Sequence, residues 1–254
     1  EAVGGGGGFV GINTANDYRM LLGSSSSEGS NNSSDVSVDN KGTITTTGNN
    51  SAALIAQSIG GGGGSASINW KETDDRDGEA STPPLFLGGV DAKTSNSGNI
   101  TVTNQSKLTT TGLASPALLI QSIAGGGGAI QSLDEAYAGI IEFGYDVVSR
   151  TAKTEASAGS INFSSVGGSV ISTSGERSAA AILQSIGGGG GWGLVNARTS
   201  LVLGTSQITQ LGTPPARFTG TATGGPITAN VSGTLQTTGN NSPAFVVQTI
   251  GGGG

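Results

Sequence analysis

One acidic run, a set of glycine runs and four glutamines are the residues of this chain whose types and spacing could do chemistry. Asp74, Asp75, Asp77 and Glu79 crowd around Gly78, and hard carboxylate oxygens on a tight glycine turn suit Ca2+. The run occurs once, contains Arg76, lacks the spacing of a calcium-binding loop and leads into Pro83-Pro84. A solvated loop tip is therefore expected there, with Ca2+ as the alternative and no other cofactor. The glycine runs are Gly60, Gly61, Gly62, Gly63 and Gly64, then Gly125, Gly126, Gly127 and Gly128, then Gly187, Gly188, Gly189, Gly190 and Gly191, with Gly251–Gly254 and Gly4–Gly8 at the two ends. Glycine loops can cradle phosphate on their amides, but none of these is followed by Lys-Ser or Lys-Thr, so phosphate binding is not expected. Ordering such a run costs much backbone entropy. The expected compensation is backbone packed directly on backbone, between coils or between chains, and the alternative is a flexible corner loop.

Gln57, Gln121, Gln184 and Gln248 stand 64, 63 and 64 residues apart inside apolar stretches. A buried amide must be hydrogen-bonded, so each is expected to bond a turn or a neighbouring coil rather than a ligand. Catalysis has little to work with. The chain has no His and no Cys, which removes the usual ligands of zinc and haem, thiol chemistry and histidine-based triads. Serines and carboxylates occur, but no base accompanies a nucleophile in any recurring arrangement, and no enzymatic activity is expected.

The elements that must position these residues follow from composition and repetition. Aromatic residues are only 4% of the chain, too few for an ordinary globular core, and a thin core of Val, Ile, Leu and Ala drawn out along an axis fits better. The net charge is −6 with no basic run, so nucleic acid is not an expected partner. No apolar stretch approaches the length of a membrane-spanning helix. The chain opens on Glu1-Ala2-Val3 before one glycine run and stops inside another, and is read as a piece of a longer protein.

Four segments align without gaps over Gly48–Ile59, Gly112–Ile123, Gly175–Ile186 and Gly239–Ile250, each followed by its glycine run. Repeats of about 64 residues therefore end near residues 8, 64, 128, 191 and 254 of a single solenoid spanning 1–254. Around each core lie short runs of alternating pattern: Val36-Ser37-Val38, Ile100-Thr101-Val102, Ile161-Asn162-Phe163 (two residues early) and Ile227-Thr228-Ala229. Such runs, rich in Thr, Val and Ile and broken by Gly, Asn and Ser, predict strands and turns. An aliphatic residue four positions before the shared glycine recurs at Ile44, Leu108, Ile171 and Leu235. In the Ala53–Ile59 stretch both faces are apolar, which predicts burial on both sides, with Ile55, Leu119, Ile182 and Val246 as equivalent core positions beside the glutamines. Leu133, Ala136, Tyr137, Ile140 and Ile141 also fit helical spacing, but Gly139 and Gly144 interrupt it and no other repeat shares it.

Gly42-Thr43-Ile44-Thr45-Thr46-Thr47-Gly48-Asn49-Asn50-Ser51, followed by Ala56-Gln57-Ser58-Ile59 and Gly60–Gly64, resembles the repeat of large glycine-rich autotransporter passenger domains of Gram-negative bacteria. The other copies are looser: Ile120, Leu183 and Val247 stand where Ala56 does, and Thr249 replaces the serine. The resemblance covers the four cores and their flanks and leaves out the variable segments. It implies an all-β, right-handed parallel β-helix exported through the outer membrane by a C-terminal β-barrel. It also implies an extracellular, cell-surface role in adhesion, aggregation or biofilm structure. The partners would be a cell-surface or matrix ligand, or further copies assembling into fibres. Two rivals remain: a phage tail-fibre-like receptor-binding protein, and a polysaccharide-acting enzyme on a β-helix. Thr45 and Thr47 should face outward if Ile44 and Thr46 face in. Outward threonine columns suit ice binding only if each repeat is a single coil.

Overall fold

The computed structural model describes residues 1–4, 7–14, 20–22, 30–70, 85–87, 94–132, 140–143, 155–188, 190–195, 200–203 and 221–251. Among these every regular element is a strand, and every strand pairing is parallel. No described helix is long and apolar enough to cross a membrane. The strands form six sheets, and neighbours within a sheet come from successive repeats. The protein is thus all-β and solenoid-like.

The sheets follow one another in the same order in successive repeats. Val36–Asn40 belongs to an alternating sheet with Ile100–Asn104, Ile161–Ser165 and Ile227–Val231. A threonine sheet follows, of Ile44–Thr46, Lys107–Thr110, Val170–Thr173 and Thr234–Thr237. The glutamine sheet stacks Ala2–Val3, Leu54–Ile59, Leu118–Ile123, Ala181–Ile186 and Phe245–Ile250. Beyond the glycine runs lies a post-glycine sheet of Gly7–Thr14, Gly63–Trp70, Gly127–Ser132 and Gly190–Val195. A leucine sheet comes next: Met20–Leu22, Leu85–Leu87, Ile140–Phe143 and Ser200–Leu203. Thr94–Asn96, Glu155–Ser157 and Thr221–Thr223 form a return sheet that leads back to the first. Each of the last three repeats places one strand in every sheet, and the first contributes Ser30 as a bridge to Thr94 in the return sheet, so the repeat is the unit that stacks. The glycine runs lie within that unit, and their last two residues open the post-glycine strands.

Register is held residue by residue. Gln57, Gln121, Gln184 and Gln248 are direct partners, as are Ile55, Leu119, Ile182 and Val246. The early Ile161 pairs in register with Ile100 and Ile227. Its offset is absorbed after the strand, where Val166-Gly167-Gly168-Ser169 connects Ser165 to Val170 while only Gln105-Ser106 connects Asn104 to Lys107. Gly168 takes a φ of 86° in this longer turn, a conformation glycine adopts without steric cost. The helical spacing around Tyr137 does not prevail at Ile140 and Ile141. They start a strand that pairs with Leu85–Leu87 and Ser200–Leu203, while 133–139 lie outside the described residues.

The glutamine sheet is covered on both faces. On one face Leu54, Ala56, Leu118, Ile120, Ala181 and Leu183 join the largest apolar cluster among the described residues, with Ile100, Val102, Leu108, Phe163 and Ile171 from the alternating and threonine sheets. On the other face Ile55, Leu119, Ile182 and Val246 form a smaller cluster with Ala129, Ala179 and Trp192. The isoleucine column two residues before the glutamines is therefore the seam between the glutamine and post-glycine sheets. The main core lies on the opposite face of the strand.

Candidate functional site

The repeated Ala-Gln-Ser-Ile-Gly motif spends each of its residues on a different contact. The glutamines face the post-glycine sheet, where an apolar strand leaves an amide only another coil for company. Gln57 Nε2 donates to Gln121 Oε1 at 2.6 Å, Gln121 Nε2 to Gln184 Oε1 at 2.8 Å, and Gln184 Nε2 to Gln248 Oε1 at 2.7 Å. The second N–H of the amide reaches across the glycine run, from Gln121 to the Gly128 carbonyl at 3.1 Å and from Gln184 to the Gly191 carbonyl at 3.3 Å. Ser65 Oγ donates to Gln57 Oε1 at 3.1 Å. The amides thus join coil to coil and sheet to sheet at once.

The residue after each glutamine was not singled out from sequence, yet it carries a second ladder on the opposite side. Ser58, Ser122 and Ser185 donate to the carbonyls of Ser34, Gly98 and Gly159, each at 2.9 Å, and Thr249 donates to Gly225 at 2.8 Å. The same serine oxygens accept from the amides of Gly98, Gly159 and Gly225 in the next coil, at 2.8 to 2.9 Å. Each of these three serine hydroxyls therefore clamps two successive return segments to the glutamine sheet. The only sequence signal was a hydroxyl at this place in every copy. Ile59, Ile123, Ile186 and Ile250 then stack with Val3 in an apolar column of their own.

The described glycines of the internal runs are buried. A Cβ at Gly61 would stand 2.6 Å from the Gly125 carbonyl carbon, and one at Gly60 would stand 2.5 Å from the Asn96 oxygen. At Gly63, Gly127, Gly128 and Gly191 it would press on the carbonyl oxygens of Gly127, Gly190, Gly64 and Gly128. Gly63 and Gly127 have φ of 120° and 132°, which no side chain adopts readily. Backbone meets backbone here between coils of one chain, so these glycines offer no open surface to a phosphate or to another fibre. Gly62, Gly64, Gly125, Gly126, Gly188 and Gly190 are enclosed in the same stack, and Gly189 and Gly252–Gly254 lie outside the described residues.

The turn before the glutamine strand stacks by the same logic. Asn50, Ala114, Arg177 and Asn241 share a left-handed φ of 54° to 55°. Asparagine tolerates that geometry, which accounts for the Asn-Asn-Ser pattern of the first and last copies. The following serine locks the turn: Ser115 Oγ donates to the Gly48 carbonyl and Ser178 Oγ to that of Gly112, both at 3.0 Å. Outside, Thr45, Thr109, Ser172 and Gln236 stand in one register row of the threonine sheet. Thr47, Thr111, Ser174 and Thr238 are exposed at the strand ends beside them. With one strand per repeat in this sheet these rows run continuously from repeat to repeat, although Gln236 breaks the hydroxyl pattern. Thr46 faces in and donates to the Ser51 carbonyl at 2.7 Å.

Asp74, Asp75, Asp77 and Glu79 lie outside the described residues. Among the described residues no three acidic, His or Cys side chains come together as metal ligands. The exposed Asp39 carboxyl is held below the usual carboxylate range, first by the Gln105 amide at 2.6 Å and then by Lys41. No protein-family model matches the chain, and neither does any curated protein or solved structure.

Proposed function

We propose that the chain is a non-enzymatic segment of an extracellular bacterial surface protein. In this proposal it is a right-handed parallel β-helix of an autotransporter passenger, carried to the cell surface and engaged in adhesion or aggregation. The observation that carries this reading is the fate of the repeated polar residues. The glutamines, the serines after them, the turn serines and the glycine runs bond or pack against neighbouring coils. The repeat is thus a device for extending a stiff rod, and the differences between coils are concentrated in the segments after the glycine runs. A rod whose core repeats while its flanking segments vary suits a surface that presents contacts at a distance from the cell. Its partner would be a cell-surface or matrix ligand, or a second rod.

The test is to display the chain on a bacterial outer membrane, fused to a heterologous autotransporter barrel. Cells bearing it should settle faster from suspension or adhere better to matrix-coated surfaces than cells bearing the barrel alone. No gain in either assay, with surface exposure verified by protease accessibility, would overturn the adhesive role. Turnover of a polysaccharide by the purified chain would overturn the non-enzymatic one.

A further inference from the structure

We draw no further inference here: the strongest candidate, the outer face of the threonine sheet with the exposed Thr45, Thr47, Thr111, Ser174 and Thr238 and the half-buried Thr109 and Ser172, is an unpartnered sheet face, and nothing in the structure shows what covers it.

Discussion

At the scale of single residues, the glutamine column decides whether the stack holds. Gln121 is fully buried and serves as acceptor for Gln57 and donor to Gln184 and Gly128. Replacing it with Leu keeps the volume but leaves those partners unsatisfied, at about 1–3 kcal/mol for each buried group. Gln121→Leu should therefore lower the unfolding free energy by at least about 2 kcal/mol in denaturant titrations. Gln248→Leu, at an exposed position with one ladder bond, should cost about 1 kcal/mol or less. Equal losses would contradict the ladder. Arg177 offers a change of the opposite sign. Its φ of 55° is strained for Arg, and Asn50 and Asn241 hold the equivalent place. Arg177→Asn should raise stability by about 1 kcal/mol, read as a higher melting temperature. The glutamine partners were legible in outline, because a constant period and an apolar strand leave a buried amide little else to bond. The serine clamp was not legible, because its partners lie 24 and 40 residues away with no local pattern to mark them.

At the scale of elements, the glycine runs are where strand meets strand without side chains. A methyl group at Gly127 would collide with the Gly190 carbonyl and would sit on a backbone with φ of 132°. Gly127→Ala should cost several kcal/mol, beyond the about 1–3 kcal/mol typical of overpacking, because the neighbour is backbone and cannot change rotamer. Gly167→Ala is the matched control: nothing lies within 4 Å of its added Cβ, and stability should hold within about 0.5 kcal/mol. Comparable melting of both variants would leave the runs as mere loops. The double burial of the glutamine strand could be read from its two apolar faces. Which face held the larger core could not, because Leu54 and Ile55 are equally apolar and only the packing of the next sheet distinguishes them. Helical spacing around Ile140 lost to sheet pairing because Leu85–Leu87 and Ser200–Leu203 offer partners on both sides.

At the scale of the whole molecule, the chain is a stack of repeats whose strands pair in register from one repeat to the next. Stability is then close to a sum of coil and interface terms, and a coil can be removed if the register survives. Deleting residues 58–121 joins Gln57 to Ser122 and removes one full period of 64 residues. The shortened chain should keep its β-type circular dichroism and unfold cooperatively with a modest loss of stability. Deleting only the first half of that stretch should cost more stability than deleting the whole period, since the strands on the two sides of the cut can no longer pair in register while the later repeats still pair with one another. The most direct test of the stack uses the absence of native cysteine. Spin labels are attached at the exposed pairs Thr47/Thr111, Thr47/Ser174 and Thr47/Thr238, and dipolar broadening is measured by electron paramagnetic resonance. One strand per repeat places the labelled backbones about 5, 10 and 14 Å apart, one strand spacing per repeat. Broadening should therefore be strong for the first pair and fall off stepwise for the other two. No broadening at Thr47/Thr111, or coupling no stronger there than across two repeats, would contradict the stack.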